Sequence, residues 1–314
     1  MKAACVGAGV IGGGWAARFL LHGHDVDVYE PSATTAAALP AIVRRATRAY
    51  EALEQRCTTG SLRIVDTVAE AVDGAAIVQE SVPEVLELKQ SVLGSIDGAS
   101  DADTIIASST SGLLPSVLQA SLQHPERLVV GHPFNPVYLL PLVEVVPGKL
   151  TSSVVVGQAQ ALYTSIGMKP LLVRKEIDAF IADRLLEAVW REALWLVHDG
   201  VATTAEIDDA IIYGFGLRWA QMGMFETYRI AGGPAGMRHF MAQFGPCLEW
   251  PWSKLTDVPP FNDELVELIS SQSDAQSGHR TVTELEEERD ANLVAILQAL
   301  RSRSWGAGMM FPTG

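Results

Sequence analysis

The sequence predicts an α/β protein: a doubly wound, mostly parallel sheet over residues 1–178, followed by an all-helical region over 179–314. Three observations predict it. Short β-branched runs alternate with helical stretches as far as Val173, the pattern of consecutive β-α-β units. A glycine turn, Gly7-Ala8-Gly9-Val10-Ile11-Gly12, stands between the first such run and the first helix. Beyond about Asp178 apolar residues recur only at helical spacing.

Ala3 to Val6 is the first strand. The glycine turn follows at once, Trp15 to Leu21 forms a helix stopped at Gly23, and Asp25 to Tyr29 is a second strand ending at Glu30. In this order the motif marks a Rossmann-type dinucleotide site. Gly7 makes the tight turn, Gly9 lets the backbone approach a pyrophosphate at the helix N-terminus, and Gly12 lets helix and strand pack closely. Gly7, Ala8, Gly9, Val10, Ile11 and Gly12 are the candidate cofactor-binding residues. Glu30 joins them, because its carboxylate would accept hydrogen bonds from the adenosine ribose and repel a 2′-phosphate, so NAD is expected over NADP. The bland alternative is a glycine-rich turn beside a solvated Glu30.

Ala33 to Arg56 is Ala-rich and helical, with Arg44, Arg45, Arg48 and Arg56 as a solvated face. Leu62–Val65 and Ala75–Val78 are further strands, the second running into Gln79-Glu80-Ser81-Val82-Pro83-Glu84 before a helix that carries Lys89. Thr104–Ala107 is another strand, ending in Ser108-Ser109-Thr110-Ser111-Gly112. Hydroxyl-rich segments past strand C-terminal ends are where such sheets bind ligands, and equally where the next helix is capped. A helix over Ser153–Ile166 and a strand over Pro170–Val173 close the sheet. Phe180 to His198 is apolar at helical spacing and stops at Gly200. Thr203-x-x-Glu206 and Thr281-x-x-Glu284 are capping boxes opening further helices, the last reaching Arg301. Ser270 to His279 reads as a polar loop, and residues 302–314 as a loose tail.

Between the hydroxyl segment and the closing helix lies Gly131-His132-Pro133-Phe134-Asn135-Pro136. Leu128-Val129-Val130 delivers His132 to a strand end, and the prolines keep the backbone extended and deny it helix. The strand Leu142–Val146 then carries Glu144 at its centre, a poor place for a lone carboxylate. The Pro-rich turn brings Glu144 back beside His132. A histidine whose second ring nitrogen is held by a carboxylate has a fixed tautomer and suits a general base. The alternative is a strand-end histidine and an edge-strand glutamate that merely face solvent.

Composition bounds the rest. With 48% apolar and 19% charged residues the chain is globular rather than disordered. A net charge of -14 without a basic block argues against nucleic acid and anionic membranes as partners. Cys5, Cys57 and Cys247 are scattered and odd in number, so neither a disulfide framework nor a cysteine metal pair is expected. Met1 leads almost directly into a strand, so no signal peptide is expected, and no apolar run approaches the ~18 residues of a membrane span. A cytoplasmic location is expected.

These motifs together resemble the 3-hydroxyacyl-CoA dehydrogenase family. The resemblance rests on Gly7-x-Gly9-x-x-Gly12, Gln79-Glu80, Ala107 to Ser111, Gly131 to Val137, Leu142 to Val145 and Phe180-Ile181-Ala182-Asp183-Arg184-Leu185-Leu186. It implies NAD-dependent oxidation of a 3-hydroxyl, a catalytic pair at His132 and Glu144, a substrate-oxygen-binding serine at Ser111, cofactor-side residues Glu80 and Lys89, and a homodimer built through the helical domain. Two departures stand out. Asp183 occupies a place where acyl-CoA members carry Asn, and Leu217-Arg218-Trp219-Ala220 replaces a Pro-Met-Gly-Pro turn. Within the family, His132 to Val146, Trp190 to Leu194, Gly216 to Gly223, Phe225 to Gly233 and Gly236 to Pro246 resemble a member whose substrate is a small hydroxy acid with a trimethylammonium group, and the resemblance implies such a substrate here. Such a cation cannot donate hydrogen bonds, so aromatic faces and a carboxylate must hold it. Asn135, Arg218, Trp219, Phe225 and Tyr228 are the candidate substrate residues, with Trp190, Phe240 and Trp250 as further aromatics, each equally readable as core. Asp183 would either pair with Arg184 or Arg191 or face the cation. A sugar acid, a short acyl-CoA, or a catalytically silent crystallin-like role are the alternatives.

Overall fold

The computed structural model describes residues 1–220 apart from Arg56, together with 223–231, 239–240, 242–243, 253, 262–264, 268, 279 and 282–311. Trp250, Thr281, Cys247 and most of Ser270–His279 and of Gly236–Pro246 lie outside the described residues.

Eight strands form one sheet in the order β3-β2-β1-β4-β5-β6-β7-β8. They are β1 (Lys2–Val6), β2 (Asp25–Tyr29), β3 (Leu62–Val65), β4 (Ile77–Glu80), β5 (Ile105–Ser108), β6 (Leu128–Pro133), β7 (Leu142–Pro147) and β8 (Lys169–Leu172). All neighbours run parallel except β6 and β7, which pair antiparallel. The central strands β1, β4, β5 and β6 are almost entirely buried because both faces are covered, whereas the edge strands β3 and β8 are partly exposed. Side chains alternate between the faces. Ala3 and Cys5 point to a core with Trp15 and Phe19 of helix α1 (Val10–Leu21) and Tyr163 of α6 (Ser153–Ser165). Ala4 and Val6 point to the opposite core, closed by α3 (Val68–Val72), α4 (Leu86–Ala99) and α5 (Pro115–Leu118).

The Ala-rich stretch forms α2 (Ala33–Ala52), capped by Ser32, whose Oγ accepts from the Thr35 amide. The strand order, reversing between β1 and β4, opens a crevice at the strand C-terminal ends, the usual ligand position in such sheets.

Beyond the sheet the described chain is helical: α7 (Ala182–His198), α8 (Thr204–Ala210), α9 (Gly216–Trp219), α10 (Met224–Ala231) and α11 (Val282–Ser302). The Thr203–Glu206 capping box forms in full. The chain divides into two compact units, Met1–Asp183 with Asp290–Arg301 and Ala307–Gly314, and Arg184–Arg289 with Ser302–Gly306. The sequence reading grouped all of α11 with the helices and left residues 302–314 loose. Instead Val294 and Leu297 bury against Ala46, Ala49 and Tyr50 of α2, and the Phe311 ring joins the same cluster. Phe311 sits edge-on to Tyr50 and beneath the buried guanidinium of Arg18, so the tail closes a core. Among the described residues no helix is long and apolar enough to cross a membrane.

Candidate active site

The β6–β7 hairpin sets His132 directly opposite Glu144 in the antiparallel ladder. Their side chains meet: His132 Nδ1 and Glu144 Oε2 are 2.9 Å apart, and both residues are buried. Glu144 has two further donors, the amides of Ile181 and Ala182, at 2.9 and 3.0 Å from Oε1. The backbone delivers those amides through a tight turn in which Ala179 and Phe180 adopt left-handed φ angles of 58° and 51°. Such conformations are strained in non-glycine residues and persist where surrounding contacts over-determine them. Burial pushes the Glu144 carboxyl up, but the hydrogen bonds from His132, Ala182 and Ile181 outweigh it and hold the group below the usual carboxylate range. An ionised Glu144 accepts, so Nδ1 carries the proton and Nε2 is left as the acceptor nitrogen.

Nε2 stands 3.5 Å from Asp183 Oδ2, on a side chain 22% exposed. Of the two orientations open to Asp183 in the sequence, this places its carboxylate at the imidazole. The rings of Phe134 and Phe180 flank His132, with centroids 5.2 and 5.7 Å away. The sequence reading does not single out Phe134, because the prolines and the histidine dominate its segment. Its signal was adjacency, two residues beyond His132 on a strand end.

The glycine turn leads into α1 as expected. Gly7 has φ +93°, and a Cβ there would stand 2.8 Å from the Ser81 carbonyl oxygen. A Cβ at Gly12 would come within 1.9 Å of the Gly7 carbonyl oxygen, so only glycine allows this close approach. At Gly9, by contrast, a Cβ would meet nothing within 4 Å. Gly9 is also the N-cap of α1 and caps it with no side chain, so the first-turn amides at Val10 and Ile11 are left to an anion. Glu30 is fastened to the turn, accepting from the Ala8 amide at 2.7 Å and the Ser32 amide at 2.9 Å. This arrangement fits the pyrophosphate and ribose of a dinucleotide.

Glu80 and Lys89 lie deeper than a cofactor-contacting role requires. Both are buried, with Lys89 Nζ 2.9 Å from Glu80 Oε1 and donating to the Val82 carbonyl. Glu80 also accepts from the Val82 amide and Ser108 Oγ. Lys89 reaches Glu84 at 3.4 Å, and Glu84 in turn accepts from the Ser111 and Gly112 amides and the Thr110 hydroxyl. This network holds the loops after β4 and β5, and through them Ser111, which is exposed.

A second network runs under the same loops. Gln79 Nε2 donates to the Gly131 carbonyl, which fixes the amide orientation, and its Oε1 accepts from the Tyr163 hydroxyl. Ser109 Oγ accepts from both Gln79 Nε2 and Trp15 Nε1, so its own proton goes to Ser81 Oγ, 2.9 Å away. The Ser81 hydroxyl then keeps its own proton for another acceptor.

The remaining substrate candidates are dispersed. Asn135 is exposed in the Pro-rich turn. In the helical unit Trp219 packs on Phe215, Tyr228 stacks on Phe240, and Trp190 and Phe225 are exposed. Arg218 is exposed on α9.

A doubly wound sheet whose glycine turn meets an uncapped helix, followed by a helical region, is the frame of a dinucleotide-dependent dehydrogenase. Comparison with known families sharpens this: residues 2–177 match the NAD binding domain of 3-hydroxyacyl-CoA dehydrogenase and residues 180–257 match its C-terminal domain. The chain belongs to the 3-hydroxyacyl-CoA dehydrogenase family and is an NAD-dependent dehydrogenase. An L-carnitine dehydrogenase of Mesorhizobium japonicum is 56% identical over 316 residues, covering 98% of this chain and 87% of that protein. An L-carnitine dehydrogenase/betainyl-CoA thioesterase of Agrobacterium fabrum is 57% identical over 310 residues, covering 98% of this chain but 63% of that protein. The crystal structure of FHMPC 5-dehydrogenase, an NAD+ dependent dismutase, superposes with a TM-score of 0.81 at 30% identity, covering 95% of this chain and 98% of that one.

Proposed function

We propose that this dehydrogenase oxidises the 3-hydroxyl of L-carnitine to 3-dehydrocarnitine, with His132 as general base and Glu144 as the residue that orients it. The observation that carries the chemistry is the 2.9 Å contact between His132 Nδ1 and the buried Glu144, which leaves Nε2 as the proton acceptor. The observation that favours the substrate is the likeness to named L-carnitine dehydrogenases over 98% of the chain. Bound NAD supplies the hydride acceptor. His132 Nε2 takes the hydroxyl proton, Ser111 hydrogen-bonds the same oxygen, and Glu144 stabilises the imidazolium that forms. A positioned base of this kind contributes ~10²–10⁴-fold.

The cofactor is held, in this reading, by the first-turn amides of Val10 and Ile11 within the Gly7–Gly12 turn, by Glu30 at the ribose and by the Ser81 hydroxyl. Glu80 and Lys89 act on it through the loops they brace. Stereochemistry agrees with the assignment. Replacing the acyl chain of an (S)-3-hydroxyacyl thioester by a trimethylaminomethyl group reverses a substituent priority, so the same spatial arrangement becomes (R), which is L-carnitine. Arg218 and the aromatics Trp219, Phe225 and Tyr228 remain proposed contacts of the substrate's two ends. The working domains are proposed as 1–178 for the dinucleotide and 179–314 for substrate and dimerisation, less the end of α11 and Phe311, which pack on α2, with the homodimer formed through exposed apolar residues of α7 such as Leu186 and Trp190.

The test is the purified protein with NAD and, side by side, L-carnitine, L-gulonate and 3-hydroxybutyryl-CoA, followed by absorbance of the reduced nicotinamide. Turnover with L-carnitine at a kcat/KM well above the other two is expected. Preference for either rival, or silence with all three, overturns the proposal.

A further inference from the structure

Two carboxylates flank the His132 imidazole, and they differ in kind. Glu144 is fully buried, holds Nδ1 and has three donors. Asp183 stands 3.5 Å from Nε2, and its side chain is 22% open. Nε2 is the nitrogen to which the reacting hydroxyl must come, so Asp183 borders the space that the substrate enters. Its position is fixed by the same segment that anchors Glu144, because the preceding residue, Ala182, donates its amide to Glu144 Oε1.

We infer that Asp183 is the residue that selects a positive charge beside the carbon being oxidised. The inference rests on the L-carnitine reading and deepens it. An alcohol hydrogen-bonded to Nε2 places its oxygen about 2.6–3.2 Å from that nitrogen. An ammonium nitrogen one methylene away from the carbinol carbon is then within reach of the Asp183 carboxylate, and charge decides that this end rather than the substrate's carboxylate lies there. In a partly closed site that attraction is far stronger than in bulk water. A trimethylammonium group offers no hydrogen-bond donor, so a carboxylate can reward it only through charge. The same carboxylate repels any alcohol that carries an anion at that end and gives no gain to a neutral one. Asp183 thereby supplies both attraction and exclusion.

The test compares L-carnitine with the carbon isostere that lacks the ammonium charge, 3-hydroxy-5,5-dimethylhexanoate, in wild type, Asp183→Asn and Asp183→Glu. Asn keeps the volume and removes the charge. The wild type should prefer the cation, and Asp183→Asn should cut that preference in kcat/KM by about 30-fold, equivalent to about 2 kcal/mol. The loss should lie chiefly in the KM for L-carnitine, with the affinity for NAD unchanged, and Asp183→Glu should retain most of the preference. If Asp183→Asn does not fold, Asp183→Ser is read the same way. A wild type that oxidises L-carnitine while its uncharged variants keep the same cation-to-isostere ratio overturns the assignment of Asp183 alone. A wild type that oxidises neither compound overturns the substrate and this assignment with it.

Discussion

The sheet-bearing unit buries charges, whereas the helical unit exposes apolar side chains. In the first, Arg18, Glu80, Lys89, Asp97, Arg127 and Glu144 are all buried, and each is engaged by a neighbour. In the second, Leu186 is 58% exposed, Trp190 52%, Tyr213 77% and Phe225 77%. The contrast teaches what a hydrophobic pattern can decide. A strand with apolar residues on both sides must be covered by its own chain, because its backbone is shared with neighbours. An amphipathic helix such as α7 declares that it has a face to cover without declaring what covers it.

The comparison can be broken or sharpened by substitution. The largest effect is expected at His132. His132→Ala should lower turnover ~10²–10⁴-fold, while NAD affinity, followed by tryptophan fluorescence, stays within about twofold. Turnover close to wild type would remove the imidazole from the chemistry. Lys89→Met should come next. It strands the Glu80 carboxylate in the core and should cost about 3–5 kcal/mol in urea unfolding, as removal of one partner of a buried ion pair does. A loss below about 1 kcal/mol would mean that Glu80 is not dependent on that charge.

A smaller effect belongs to His22. Burial, seconded by the charge of Arg18, holds its imidazole down at about 4 from an ordinary 6.5. The folded chain therefore refuses a proton that the unfolded chain accepts below about 6.5. The stability from this group is present above that pH and is lost as pH falls toward 4. Between pH 6.5 and 5 the wild type should lose about 1.6 kcal/mol through it, the slope approaching 1.36 kcal/mol per pH unit, and His22→Gln should flatten that slope. Glu144, depressed from a carboxylate value, loses its contribution only at lower pH, so the two windows separate. The smallest effect on folding is expected in the helical unit. Leu186→Asp with Trp190→Asp should change unfolding of the chain by about 0.5 kcal/mol or less. In sedimentation velocity the same pair should convert the proposed homodimer to monomers. An unchanged sedimentation coefficient would show that this face is simply solvated.

How much was legible beforehand follows the same division. The eight strands were marked by short runs rich in apolar residues, with ends displaced by one or two residues, as at β4, which extends to Glu80 with Gln79 drawn inward by Tyr163 and Gly131. The meeting of His132 and Glu144 was legible because two prolines leave a hairpin as the short way back. Residues joined by distant backbone were not. The two amides that serve Glu144 belong to Ile181 and Ala182, and nothing in their side chains advertises that use. Asp183 could be seen as unusual but not placed, since its direction depends on the left-handed turn before it. Phe311 was invisible as core because one aromatic at a chain end carries no period.

Glu144 obtains one donor from the imidazole and two from a peptide segment 37 residues downstream. The aim of the imidazole is thus set by a bend at Ala179 and Phe180 that is costly to keep. Gentle warming that lets this bend unwind would withdraw two of the three tethers while the sheet stays intact. The imidazole would then swivel, so catalytic power should fade several degrees before cooperative melting begins.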